Sequence, residues 1–504
     1  MAGISTSTAG NLHQGDESGK NYTIPLLALT VLFFMWGFIT CMNDIMIPFF
    51  KIAFKLENFE AGLVQFFFFF AYFSISLVYF IISSRFGDPI SKIGYKNGII
   101  AGLITAGIGS CLFFPAAEMK SYPAFLFAFF VLAAGVVLLQ MAANPYVALL
   151  GSPKTSSSRL NMTQAFNSLG TTVAPIIGSK VIFGNMDLAA EVHSLDVVKM
   201  PYLVLAGTLF ALAVFISAFK LPRFTGEKIE KGLGVLRFSH LTLGIVALFM
   251  YVGAEVALGS FMANYFGEIR GFNEEVASKF IAFFWGGAMI GRFMGALSLS
   301  NSMEKLKRYG LIALITVVAT TIVYFFMVDV VEEFGLTFIS PGQTALIVLG
   351  LIALNIIAFQ IGATIPSRTL GIFAIFNAGL LILSTSTSGA VSMWSLIAVG
   401  LFNSIMFPTI FTLAIEGLGK YTSQGSSLLM IGIVGGAIVT PIVGKFADLY
   451  NYQFAYIIPV ICYLYIVYYG FAGYKVKLRA DQVVDAPDNA EKPKNTEKLS
   501  TADA

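Results

Sequence analysis

Cysteine and histidine are almost missing from this chain, with three of each in 504 residues. Cys41, Cys111 and Cys462 stand far apart with no CxxC spacing, which leaves no basis for a disulfide framework or a thiolate metal site. His13, His193 and His240 are just as scattered, so histidine acid–base chemistry has almost no raw material. Charge is scarce too. Asp, Glu, Lys and Arg make up 12% of the residues, about half the share usual in soluble domains, and the net charge of +3 holds no signal for nucleic acid. No Walker-type phosphate loop and no nucleophile–base set is legible, which argues against an enzyme. What fills the chain instead is apolar: 57% hydrophobic residues, 49 Phe and 48 Gly, with a mean hydropathy of +0.80. A water-soluble fold has nowhere to hide that much apolar surface, whereas a bilayer solvates it.

Residues 1–23 are polar and lack the apolar core and cleavage site of a signal peptide. Apolar segments then recur at about 24–50, 61–84, 97–117, 123–150, 160–183 and 200–220. A basic linker at 221–238 interrupts them. Further segments follow near 239–266, 275–298, 309–328, 343–362, 369–387, 393–415, 424–444 and 453–474. Each reaches the roughly 20 residues that a ~30 Å hydrocarbon core demands. The expectation is an all-α polytopic membrane protein of about 14 spans: a first bundle of six helices over 24–220 and a second bundle over 239–474. A polar tail, 475–504, follows and is read as disordered. Lys and Arg gather in alternate loops, including Arg85, Lys92, Lys96, Lys154, Arg159, Lys220, Arg223, Lys305, Lys307, Arg308 and Lys420. The opposite loops collect acids such as Asp187, Glu191, Asp196, Glu332 and Glu333. By the positive-inside rule both termini are cytoplasmic. Two bundles joined by a basic linker suggest a transporter of repeated halves with its site between them at mid-depth.

Polar residues inside the spans mark that site, because a carboxylate at the bilayer centre costs roughly 3 kcal/mol on insertion scales. Asp44, in the first span after Trp36 and beside Asn43, reads as a cation-coupling group, against the plainer reading of an interfacial or structural carboxylate. Glu255, in the first span after the linker, mirrors it; its plainer role is helix packing. Gln140 and Asn144 are spaced i, i+4 on one helix face, followed by Pro145. Gln164 and Asn167 are spaced i, i+3, with Asn161 extending the stripe. Amides both donate and accept, as sugar hydroxyls require, although single Asn and Gln residues more often serve as interhelical glue. Asn403 and Pro408 form a counterpart in the second half. Trp36 and Trp285 sit deep enough to stack on a sugar ring, while Trp394, at the start of a span, reads as an interface anchor.

The stretches around Trp36 to Asp44, Ala142-Ala-Asn-Pro-Tyr-Val, Arg159-Leu-Asn, Tyr251-Val-Gly-Ala-Glu, Trp285-Gly-Gly-Ala-Met-Ile-Gly-Arg and Gly400-Leu-Phe-Asn-Ser-Ile-Met-Phe-Pro-Thr occur in order over most of the chain. Together they resemble the fucose–galactose–glucose:cation symporters of the major facilitator superfamily, in the glucose/galactose branch. The resemblance implies alternating access by two pseudo-symmetric six-helix bundles. It also implies a central sugar site and places Asp44 as the coupling carboxylate; the polar and aromatic residues within the spans add Glu255 as a second coupling candidate and Trp36, Asn43, Gln140, Asn144, Gln164, Asn167, Trp285 and Asn403 as candidates for the substrate site. In the L-fucose permease branch a glutamate stands where Gln140 stands here. An amide carries no proton, so Asp44 alone, or Asp44 with sodium, becomes the coupling site. The cytoplasmic gating motif is present as Lys92-Ile-Gly94-Tyr-Lys96, with Ser91 in the place of its acid and Asp88 nearby; Arg292 joins these gating residues. The family has twelve spans, so the segments within about 309–362 are an inserted helix hairpin, expected at the periphery.

The function expected is import of a hexose (glucose, galactose or fucose) by proton or sodium symport. The chain is further expected to be a monomer in a bacterial inner membrane, with a monosaccharide and membrane lipid as partners, no nucleic acid and no cofactor. The alternative is proton-coupled export of apolar compounds on the same fold, which an amide-rich centre disfavours.

Overall fold

The computed structural model describes residues 23–56, 58–183, 195–219, 222, 232–272, 274–300, 303–336 and 338–478. The rest of both tails, most of the expected linker, and the side chains of Asn43 and Asp44 lie outside the described residues. No strand occurs among those described. The first half comprises α1 (Thr23–Ala53), α2 (Asn58–Phe86), the short α3 (Pro89–Ile93), α4 (Tyr95–Cys111), α5 (Phe113–Glu118), α6 (Tyr122–Leu149), α7 (Ser156–Phe183) and α8 (Lys199–Ala218). The second comprises α9 (Ser239–Arg270), α10 (Glu274–Ser298), α11 (Lys305–Phe334), α12 (Pro341–Gly362), α13 (Pro366–Ser386), α14 (Gly389–Asn403), α15 (Met406–Ala414), α16 (Thr422–Gly432), α17 (Gly435–Leu449), α18 (Tyr452–Ala455) and α19 (Ile457–Tyr468).

The two halves repeat one packing plan. α1 lies along α7 as α9 lies along α17; α4 packs on α6 and α8 as α13 packs on α14 and α19; and α2 meets α6 as α10 meets α14. Small residues permit the closest approaches. A Cβ on Gly37 of α1 would stand 2.0 Å from the Asn167 carbonyl oxygen of α7, and one on Gly435 would stand 2.0 Å from that of Phe249 in α9.

Among the described residues, thirteen helices are long and apolar enough to cross a membrane. The expected span missing from that set is 160–183, which does form a helix, α7. Its described part carries Ser, Asn, Gln and Thr where the others carry Leu and Phe, because it faces protein on several sides. Two prolines shape the neighbouring helices. Pro145 lies within α6 without ending it, and Pro408 follows the break between α14 and α15. A proline removes the donor to the carbonyl four residues earlier. The carbonyl of Met141 thereby becomes available and accepts from Ser426 Oγ at 3.1 Å. The carbonyl of Ser404 likewise accepts from Arg292 Nε at 3.2 Å.

The inserted hairpin is α11 and α12, capped between them by the reciprocal Ser340–Gln343 pair. It packs on α10, α13 and α14 from outside, with Phe326 on Phe283 and Phe359 on Phe373. Its outer face leaves Val317, Phe325 and Leu346 more than 60% exposed, as lipid-facing residues are. Trp394 corrects the interface-anchor expectation: it is buried at 7% exposure against Phe280 and Phe283, because α14 is enclosed by its neighbours.

Candidate functional site

In the first half, polar side chains from four helices converge. Gln140 of α6 donates through Nε2 to the Tyr72 hydroxyl of α2, which lies beside Trp36 on α1. Trp36 packs against Phe33, its ring 5.3 Å away, and the Phe33 carbonyl accepts from Asn167 Nδ2 of α7 at 3.0 Å. Trp36, Gln140 and Asn167 thus lie in one region of the first half, and Tyr72 is a neighbour that no sequence motif announced. Asn144, one turn from Gln140, is fully buried, and neither its Oδ1 nor its Nδ2 has a hydrogen-bond partner. Gln140 Oε1 and Gln164 Nε2 are also buried without partners. Unmet amides in a low-dielectric interior cost about 1–3 kcal/mol each, so they are rare unless something else satisfies them. Asn161 is half met: its Nδ2 donates to the Ser157 carbonyl at 2.8 Å, and its Oδ1 is buried without a partner.

In the second half the polar centre is charged. Glu255 of α9 accepts through Oε1 from the Tyr251 hydroxyl at 2.7 Å, and the same oxygen lies 3.7 Å from Arg292 Nη2 of α10. Both side chains are 13% accessible. Arg292 holds the Ser404 carbonyl through Nε and crosses to the other half through Nη1, which donates to Ser168 Oγ of α7. Sequence reading set Arg292 among gating residues and Glu255 among coupling residues; the structure brings the two into one ion pair. Ser168 was missed, since a lone serine in a polar helix has no distinguishing signal. Asn403 sits elsewhere. Its Oδ1 accepts from Asn377 Nδ2 at 2.8 Å and from the Tyr463 hydroxyl at 2.7 Å, which ties α13, α14 and α19 together. A cleft of about 270 Å³ lined by Asn264, Phe272 and Tyr452 opens at the far end of α9. Nine residues of helix rise, roughly 13 Å, separate Asn264 from Glu255, so that cleft is distinct from this centre.

The halves meet along a seam at the end bearing the basic loops. Ser157 Oγ pairs with Thr412 Oγ1 at 2.6 Å, Ser158 donates to the Ala296 carbonyl at 2.6 Å, and Tyr79 reaches Ser423 at 3.2 Å. Along α7 and α10 the contacts continue through Phe166–Phe293 and Ser168–Arg292 to Thr172–Met289. The next residue on that face of α10, Trp285, is 42% exposed. The halves are therefore closed at the basic end and part above mid-depth, with Trp285 set above the Arg292–Glu255 pair and against Gly259.

The basic-loop motif is built around Asp88. Its carboxylate caps α3 by accepting from Ser91 N at 2.8 Å and also accepts from the Tyr79 hydroxyl. Gly94 turns the chain at φ 84°, a left-handed conformation that favours glycine. Lys92 Nζ donates to the Phe86 carbonyl at 2.7 Å, and Lys96 Nζ to those of Ser217 and Phe219 at 2.7 and 2.8 Å. Among the described residues no group of His, Cys, Asp and Glu is arranged to hold a metal ion.

Two pseudo-symmetric helical bundles around a buried polar centre, closed at one end, define a multi-pass membrane transporter. The chain belongs to the Major Facilitator Superfamily, whose model matches residues 26–330. It is 42% identical to a glucose/galactose transporter of Brucella abortus over 477 residues, 94% of this chain and 99% of that protein. It is 30% identical to the L-fucose-proton symporter of Escherichia coli over 91% of this chain and 95% of that one. A solved transporter of the superfamily, FucP in the outward conformation, superposes with a TM-score of 0.69 at 30% identity, covering 90% of this chain and 99% of its own.

Proposed function

We propose that this transporter imports a hexose, glucose or galactose, by cation symport across a bacterial inner membrane with both termini cytoplasmic. The observation that carries the reading is the set of buried, unpartnered amide atoms on Gln140, Asn144 and Gln164. They offer donors and acceptors together, which matches a polyol and not an apolar cargo. Trp36 and Tyr72 beside them supply aromatic faces for the C–H side of a sugar ring. The named substrate of the Brucella abortus relative supports the same class.

Asp44 is assigned as the coupling carboxylate. Because Gln140 cannot carry a proton, coupling rests on Asp44 with either a proton or sodium. The cation neutralises Asp44, sugar fills the amide set, and only the empty or doubly loaded carrier exchanges sides rapidly.

The deciding experiment is labelled glucose and galactose uptake into proteoliposomes, under an inward sodium gradient at clamped pH or an inward proton gradient without sodium. Accumulation under one gradient identifies the ion. Silence under both rejects the hexose reading.

A further inference from the structure

Arg292 is the one cation joined by a side-chain ion pair or hydrogen bond to both halves at mid-depth among the described residues. In the conformation seen here its guanidinium is shared between Ser168 of the first half and the Ser404 carbonyl of the second. Glu255 waits at 3.7 Å, beyond hydrogen-bonding distance, its position set by Tyr251. Alternating access requires the basic end to open, and α7 and α10 must then part along the seam that Ser168–Arg292 spans. Parting removes the serine from a buried cation. A half-buried guanidinium without a replacement acceptor would oppose that motion strongly.

We propose that Arg292 hands over between the halves: it holds Ser168 Oγ while the basic end is closed and moves onto the Glu255 carboxylate as that end opens. Ser168 is then a positioning residue for the closed state, and Glu255 for the open one. Trp285 and Gly259, one to two turns above on the same helices, place this exchange directly under the open side of the centre. The inference rests on the alternating-access part of the function proposed above and is independent of which solute is carried.

The hand-over predicts shifts of opposite sign. Ser168→Ala weakens the closed basic end; Glu255→Gln deprives the opened state of its acceptor and locks that end shut. A cysteine at position 157, buried in the seam against Thr412, reports the opening in full-length protein whose Cys41, Cys111 and Cys462 have been replaced. Its labelling rate by a membrane-impermeant maleimide, in proteoliposomes without sugar, should rise about tenfold in Ser168→Ala and fall about tenfold in Glu255→Gln, the scale of one charge-assisted hydrogen bond. Glu255→Asp, which keeps the charge on a shorter arm, should fall less. If Glu255→Gln does not fold, the opposed shifts of Ser168→Ala and Glu255→Asp carry the test. Shifts of the same sign, or no shift, overturn the hand-over. Because labelling needs no substrate, failure of hexose uptake leaves this result readable, and failure of the hand-over leaves the uptake result untouched.

Discussion

The polar centres of the two halves are built on opposite rules. The first half keeps neutral amides, and several of their hydrogen-bonding atoms on Gln140, Asn144 and Gln164 are unmet. The second half keeps a carboxylate and a guanidinium that meet partners: Tyr251 for Glu255, and Ser168 and Ser404 for Arg292. Unmet capacity in a buried centre is free to bind something that arrives, whereas satisfied capacity fixes the shape of the protein. The same residue type obeys both rules. Asn144 is buried with neither amide atom partnered, and Asn403 is buried with two partners on Oδ1 and none on Nδ2.

The sharpest way to break this contrast is at Asp44, which the proposed function places with the binding half. Asp44→Asn should abolish accumulation against a gradient while part of the sugar exchange persists, read as uptake beside counterflow in the same proteoliposomes. Accumulation surviving in that variant would remove Asp44 from coupling. In the second half, Arg292→Gln strands Glu255 as a buried charge. Stability should fall by about 3–5 kcal/mol, and the double variant with Glu255→Gln should recover most of it. Thermal unfolding followed by size-exclusion profile measures both.

A matched pair then tests the contrast directly. Asn144→Ala should raise the KM for hexose about tenfold with little change in melting temperature, since it removes binding capacity of about 1–3 kcal/mol and strands no protein group. Asn403→Ala should do the reverse, lowering the melting temperature by leaving Asn377 and the Tyr463 hydroxyl unpartnered, with KM unchanged. If both variants split the same way, the difference between the halves is not functional. The smallest effect is expected at the hairpin, where Asn355 Nδ2 reaches the Leu401 carbonyl at 3.5 Å. Asn355→Ala should cost about 1 kcal/mol or less in stability and leave transport kinetics alone.

Much of the architecture was legible before any coordinates. Apolar runs placed the helices, including the two of the hairpin, because hydropathy summed over about 20 residues is enough to choose between lipid and water, and the resemblance to a twelve-span family put that hairpin at the periphery. The segment at 160–183 was placed in the same way and forms α7, although its amide and hydroxyl content lowers its hydropathy. Among the candidate site residues, Asp44, Gln140, Asn144 and Glu255 stood out because polar groups at that depth are costly, and Arg292 through the family resemblance. Tyr72, Tyr79 and Ser168 did not stand out, since tyrosine and serine are unremarkable in membrane helices and acquire their roles from partners on other elements.

The sequence by itself therefore determined membrane insertion, the repeated halves, the prolines that free a backbone carbonyl, and the short roll of polar residues from which a site is made. Those are local properties, set by each residue's own cost of transfer and its own backbone. Only the tertiary structure decided which of these residues are satisfied and which remain open. The partner of Arg292 is Ser168, 124 positions away, and the partner of Gln140 is Tyr72, 68 positions away. Hydrogen bonds and ion pairs depend on distances of a few ångströms between atoms that the chain order leaves unrelated, so satisfaction is settled by packing alone.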